Sequence, residues 1–216
     1  MGRPKIHGDT ARATLLLAAE RLADTEGLSA ISLRRLAAET GLSIRAAYST
    51  FGSKGGLIDA LGALAFDWLA ERLHLMPETD NPVRDLVEAA VQDFRRLVVE
   101  RTVIFQIGFQ TESRDGTHPL ILEAADRALQ LLTRRMARVA PPGLVRDGVL
   151  GFSAVCEGLA ALELRGAFDA DRDPVETWRS VLSTYVAGVT RTAEPATSAK
   201  NVQRRRGRRP PRATEA

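Results

Sequence analysis

Apolar residues recur every three or four positions along nearly the whole chain, the spacing that lines one face of an α-helix. Leu15, Leu16, Ala19, Leu22 and Ala23 predict an amphipathic helix over about residues 9–25, with Asp9 or Thr10 as N-cap and Gly27 as its stop. Ser32 caps a short second helix reaching about Glu39, with Leu33, Leu36 and Ala37 facing inward, and Gly41 breaks it. Ser43 caps a third helix ending near Phe51, and Ser53 caps a fourth running to about Met76. Asn81 followed by Pro82 at the first helical position opens a helix to about Arg101. A short helix over about 102–111 and a loop at Ser113–Gly116 come next. Thr117 then caps a helix to about Val139, which Pro141 and Pro142 end. Two long helices, about 143–165 and 174–192, are split by Gly166 and an Asp-rich turn before Pro174. No alternating strand pattern and no internal repeat interrupts this series, so the expected fold is all-α. Residues 193–216 lose the pattern, with Val202 almost their only large apolar side chain. Such a segment cannot bury enough surface to offset its ordering entropy, and disorder is expected there.

Composition narrows the classes. Hydrophobic residues are 44% of the 216, enough to build a core. One cysteine excludes an internal disulfide and a cysteine-based zinc finger. The opening Met-Gly-Arg-Pro-Lys precedes no apolar run, so no signal peptide is expected. The richest apolar stretches carry Asp59 and Asp67, or Arg146, Asp147, Glu157 and Glu163, so no membrane crossing is expected. The expected location is the cytoplasm, at the nucleoid. The net charge of +3 is unevenly spread. Residues 1–57 hold 8 basic and 5 acidic side chains, residues 58–192 hold 15 and 20, and residues 193–216 hold 7 and 2. Two basic ends on an acidic body point to nucleic acid or an anionic surface. For the C-terminal end alone, a merely solvated tail explains the charge equally well.

Residues 32–51 meet the physical requirements of a helix-turn-helix. Ala37 is small enough for close helix approach, and Gly41 takes the left-handed backbone of a tight turn. Leu42 and Ala47 pack the two helices, which leaves Ile44, Arg45, Ala46 and Tyr48 on the far face, where a major groove can receive them. Two ordinary short core helices are the bland alternative. The preceding basic arm and Lys54 at the start of the next helix favour the DNA-binding one.

Over about residues 10–60 the sequence resembles the TetR family of bacterial transcription regulators. The resemblance rests on Ala18-Ala19, Gly27-Leu28, Ile31-Ser32, Leu36-Ala37, Gly41-Leu42-Ser43, Tyr48, Phe51, Ser53-Lys54 and Leu57. It implies an N-terminal three-helix DNA-binding domain (1–57) and a C-terminal helical ligand-binding and dimerisation domain (58–192), after which composition marks the basic tail (193–216). Phe105, Phe109, Glu157-Gly158-Leu159 and Leu162-Glu163-Leu164 resemble the ligand-domain subtype marked by a Trp-His-Gly signature, most of which Val155-Cys156-Glu157-Gly158 replaces here. The resemblance implies phosphate contacts at Ser32, Tyr48 and Lys54, a recognition-helix cap at Ser43, and base-facing positions at Ile44, Arg45 and Ala46. Thr50 is a further candidate DNA contact, a weakened phosphate contact where the family often has His or Tyr, and Gly55-Gly56 stand where it often has two glutamates. Gly2-Arg3-Pro4 resembles the core of an AT-hook, so Arg3 and Lys5 are candidates for a minor-groove arm. Arg206-Gly207-Arg208-Arg209-Pro210 is similar.

The body is expected, by resemblance, to hold a ligand pocket. Phe66, Phe94, Phe105, Phe109, Met136 and Phe152 are candidates for its wall, though core packing explains each of them equally well. Gln106, Gln110 and Glu157 are its candidate polar groups, and an ion pair at a subunit interface is the other reading of Glu157. Catalysis finds little support: Gly151-Phe152-Ser153 lacks the second glycine and the strand of a nucleophile elbow. His7, His74 and His118 form no metal set, and no cofactor is expected. Apolar stripes on the last two helices (Val145, Val149, Phe152, Leu159, Leu162; Val175, Trp178, Leu182, Tyr185, Val189) predict a homodimer. The expected function is a repressor that binds double-stranded DNA at a palindromic operator and is released by a small apolar effector. A non-sensing helical scaffold or nucleoid-type protein is the alternative.

Overall fold

Helix caps written into the sequence divide the chain, and glycines close its tightest turns. The structure, a computed structural model, describes residues 6–110 and 118–191. Helices α1 (Ile6–Glu26), α2 (Leu33–Thr40), α3 (Ile44–Phe51) and α4 (Lys54–Leu75) come first. Helix α5 (Pro82–Ala89), a π-helical turn (Ala90–Phe94) and α6 (Arg95–Glu100) follow, then α7 (Thr102–Gln110). Helices α8 (Pro119–Met136), α9 (Val145–Leu164) and α10 (Pro174–Arg191) complete the described chain. Among the described residues there is no strand, and no helix is long and apolar enough to cross a membrane.

The expected caps are mostly in place. Ser32 Oγ accepts from Arg35 N at 3.2 Å, Ser43 Oγ from Ala46 N at 3.1 Å, and Ser53 Oγ from Gly56 N at 3.1 Å. Asn81 Oδ1 accepts from Arg84 N at 3.0 Å, with Pro82 at the first helical position. Two starts differ from expectation. Helix α1 begins at Ile6, so Asp9 lies inside its first turn, where the positive helix end favours a carboxylate, and not at a cap. Thr117, the expected cap of α8, lies outside the described residues. The cap function there comes from another helix: the buried Asp59 of α4 accepts from Leu120 N and Ile121 N, each at 3.2 Å.

One apolar cluster runs from the first three helices into the body through α4. Leu15, Leu36, Ala47, Leu57 and Leu61 are fully buried within it. Helix α4 packs most extensively on α8 and then α7, and touches α1 and α3 at its other end. It runs unbroken across residue 57, so the expected domain boundary falls inside a helix. Glycines permit the closest approaches. A Cβ on Gly62 would lie 2.5 Å from Ile121 Cδ1, and one on Gly108 2.9 Å from the Gly62 carbonyl oxygen. Arg101, between α6 and α7, grips Glu20 of α1 through two 2.7 Å bonds. Glu163 of α9 accepts from Arg95, with a shortest contact of 2.6 Å, and from Trp178 Nε1 at 2.7 Å, which ties α6, α9 and α10 together.

The expected dimer stripes prove to be largely internal. Val149, Phe152, Leu159, Trp178 and Leu182 are buried within the chain itself. A stripe that faces its own core reads the same in sequence as one that faces a partner. The large apolar side chains that do stand exposed on α9 and α10 are Leu150, Leu162, Leu164 and Val181.

Candidate nucleic-acid interface and ligand cavity

Helix α3 is short and two-faced. Ala47 and Phe51, four residues apart, are buried against the core, and Arg12 of α1 lies over the Phe51 ring at 5.4 Å. The exposed side carries Ile44, Arg45 and Tyr48; Ile44 and Tyr48 keep about half their surface open to solvent. Ala46 is half-buried, so of the expected far face three side chains project and the fourth sits at its edge. Gly41 makes the turn between α2 and α3 at φ 68°, left-handed backbone that suits glycine. Ser32 and Ser43 are exposed at two helix N-termini. Each hydroxyl already accepts a cap bond and keeps its hydrogen to donate.

Lys54 is exposed at the start of α4, with Nζ 3.4 Å from the Leu28 carbonyl oxygen. Thr50 is differently placed: its hydroxyl donates to Ala46 O at 2.8 Å, which leaves no hydrogen for a phosphate. Gly55 is exposed, but a Cβ on Gly56 would overlap the Phe51 carbonyl oxygen, so the turn into α4 is built around that glycine. Arg35 is held between Glu26 and Glu39, which raise its pKa and bind α2 to the end of α1. Arg3 and Lys5 lie outside the described residues, as does the basic tail.

Behind α4 lies a cavity of about 550 Å³, walled by α4, α5 and its π turn, α7, α8 and α9. A volume of this order suits a small organic ligand. Phe66, Phe94, Phe109 and Phe152 line it. Phe66 and Phe109 have ring centroids 4.4 Å apart, and Phe94 meets Phe109 edge-on at 5.3 Å. The structure moves Phe105 and Met136 from the expected wall into the core, each 0–1% exposed. Phe105 stacks behind Phe109 at 5.1 Å, and Met136 packs against Gly148. Gln106 points outward on α7, away from the lining, and the side chain of Gln110 lies outside the described residues. Glu157 and Ser153 of α9 reach the cavity, and burial pushes the Glu157 carboxyl up from its ordinary value.

Two lining carboxylates, Asp93 and Asp126, are not among the residues the sequence singles out. Asp93 had a readable signal: it follows Leu86, Ala89 and Ala90 at helical spacing, a carboxylate on an apolar face. Asp126 had none. Cys156 also lines the cavity, and burial drives its thiol well above the usual range, which leaves little reactive thiolate. Ser153 sits within α9, without the strand-to-helix turn an elbow nucleophile needs. Among the described residues no cluster of His, Cys, Asp and Glu has the makings of a metal site.

Comparison with known proteins follows the same division. The family model described as bacterial regulatory proteins, tetR family, matches residues 15–61. The one described as tetracyclin repressor-like, C-terminal domain, matches residues 87–185. No curated protein matches the sequence. Among solved structures, a protein of unknown function from Rhodococcus sp. RHA1 is 22% identical, with a TM-score of 0.73 over 83% of this chain and 95% of that one. NalD, the secondary repressor of the MexAB-OprM multidrug efflux pump in Pseudomonas aeruginosa, is 24% identical, with a TM-score of 0.60 over 87% of this chain and 99% of its own. The TetR family regulator PfmR from Thermus thermophilus is 21% identical, with a TM-score of 0.57 over 80% of this chain and 97% of its own. At such identities the likeness is one of fold.

Proposed function

The chain belongs to the TetR family of bacterial regulatory proteins, and from that premise we propose that it is a repressor whose dimer leaves a palindromic operator when a small, largely apolar molecule fills the cavity behind α4. DNA binding and transcriptional regulation come with the family. The observation that carries the operator reading is the exposed Ile44–Arg45–Tyr48 face of α3, mounted on a turn that Gly41 makes possible. In this reading Ile44 and Arg45 meet base edges, and Ser32, Ser43, Tyr48 and Lys54 meet phosphates. Thr50 and Ala46 shape α3 instead. Arg3, Lys5 and the tail add attraction to any DNA. What supports the finer assignment, to the subtype with a Trp-His-Gly signature, is Phe105, Phe109, Glu157-Gly158-Leu159 and Leu162-Glu163-Leu164.

The two-fold partner is placed against α9 and α10, where Leu150, Leu164 and Val181 are exposed. A partner there sets two copies of α3 about one turn of DNA apart, hence the palindrome. Helix α4 links the two functions, since Phe66, Leu69 and Leu73 line the cavity while its start packs on α3. A ligand that prefers one placement of α4 lowers operator affinity by its differential affinity, roughly 5- to 150-fold. The test is selection of genomic fragments by the full chain, with sedimentation at micromolar concentration. Palindromic winners bound by dimers are expected; uniform affinity for random DNA, or a monomer, refutes the proposal.

Within that frame Arg45→Ala relaxes base preference at one position per half-site, by about 1–3 kcal/mol if Arg45 grips a guanine. Lys54→Ala weakens all sequences alike. Binding to operators altered one base at a time checks both, and an equal loss at every base in Arg45→Ala would make Arg45 a phosphate contact.

A further inference from the structure

The cavity wall is one-signed. Its polar side chains are Asp93, Asp126, Glu157 and Ser153, and none of its described lining residues is Lys, Arg or His. The carboxylates sit at two depths. Asp126 and Glu157 are exposed at the α8–α9 side, whereas Asp93 is 4% exposed. Asp93 lies in the π-helical turn and, with Ala90 and Phe94 at helical spacing, faces the cavity. Its counter-ion is Arg72 of α4, whose Nε stands 2.8 Å from Asp93 Oδ1. The Arg72 side chain is 45% exposed and lies over the Trp68 ring at 5.9 Å, so it approaches Asp93 from the solvent side and is not among the lining residues.

We propose that the cavity takes a lipophilic cation, an apolar or aromatic body with a quaternary or delocalised positive charge, and that this charge pairs with Asp93 in competition with Arg72. The proposal rests on the reading of the chain as a ligand-released regulator and names the ligand class. A charge leaves water at a large cost unless it is paired. Here a cation finds a buried carboxylate and four phenylalanine rings, whose faces attract positive charge. An anion finds three carboxylates and no compensating donor of charge. Glu157, with its carboxyl pushed up by burial, is eased back toward ionisation by a neighbouring cation. Residues 58–192 hold 15 basic and 20 acidic side chains, which favours the approach of cations to the body. The competition also reaches α4: a ligand that takes Asp93 frees Arg72 and loosens the tie between α4 and the π turn.

The test uses the purified full chain with tetraphenylphosphonium and tetraphenylborate, matched in shape and opposite in charge. Calorimetry is expected to give one phosphonium site per chain, with affinity about tenfold or more above that of the borate. Asp93→Asn should weaken phosphonium binding about tenfold or more, and the solvent-accessible Glu157→Gln severalfold, with folding checked by circular dichroism. Arg72→Gln should tighten it, since the competing cation is gone; a merely structural Arg72 would give weaker binding. Equal or tighter borate binding, indifference of both carboxylate variants, or weaker binding in Arg72→Gln overturns the proposal. Release of a genomically selected DNA fragment is read separately. Charge-selective phosphonium binding without release keeps the cation site and defeats the ligand-release reading. Release by the borate as readily as by the phosphonium keeps the regulator and defeats the cation site.

Discussion

Arg101→Ala is expected to destabilise the protein by about 3–5 kcal/mol, the usual cost of leaving one member of a buried ion pair alone. Arg101 holds Glu20 through Nε and Nη2, with side chains 26% and 11% exposed. Without the guanidinium, Glu20 is left beside Asp24, whose own carboxyl is already raised by burial and by the Glu20 charge. For a chain of this size the melting temperature should fall by about 6–20 °C. The pair joins α1 of the DNA-binding half to the start of α7 in the body, so its loss should also reduce DNA affinity before the chain unfolds. Replacing both partners with apolar residues of similar volume should recover much of the stability, because no buried charge is then left unpaired. Urea denaturation of the single and double variants measures this. A single-variant loss below about 1 kcal/mol would class the pair with ordinary surface bridges.

Asp59→Leu is expected to cost about 2–4 kcal/mol, combining a lost helix cap with backbone donors left without acceptors. The carboxylate accepts from Leu120 N and Ile121 N at the first turn of α8, and His118 Nδ1 stands 3.6 Å from Asp59 Oδ1. Asp59→Asn keeps one acceptor oxygen and should cost less. Hydrogen exchange locates the effect: the amides of Leu120 and Ile121 should lose protection first, and binding in the cavity should weaken because α8 forms part of its wall. Unchanged exchange at these two amides would show that α8 caps itself.

Both predictions concern contacts that sequence reading passes over. Glu20 and Arg101 are 81 positions apart, and Asp59 caps a helix 61 residues further on. Local rules cannot connect them, because the partner lies on another helix whose placement the packing decides. The local features were legible for the opposite reason. Ser32, Ser43, Ser53 and Asn81 bond to amides three residues away, so composition and spacing carry the information. Gly41 was readable because its backbone conformation is a property of one residue.

The candidate cavity divides along the same line. Phe66, Phe94, Phe109, Phe152 and Glu157 were named as lining from sequence, and all of them reach the cavity. Phe105 and Met136 have the same apolar character, and the structure puts them behind the wall. Helical periodicity says that a side chain faces inward; it does not say whether an opposing side chain fills the space. The stripes on α9 and α10 show the same ambiguity, with Trp178 and Leu182 buried at home and Val181 exposed.

What the sequence alone determined was helix order and most ends, the turn of the helix-turn-helix and its outward face, because each depends on contacts within a few residues. What only the tertiary structure decided was which inward-facing residues border empty space, which carboxylate caps a distant helix, and that Asp93 faces a cavity while Arg72 holds it from outside. Those outcomes depend on the mutual placement of helices far apart in the chain. That placement is set by how their surfaces fill space together, and no single segment carries it.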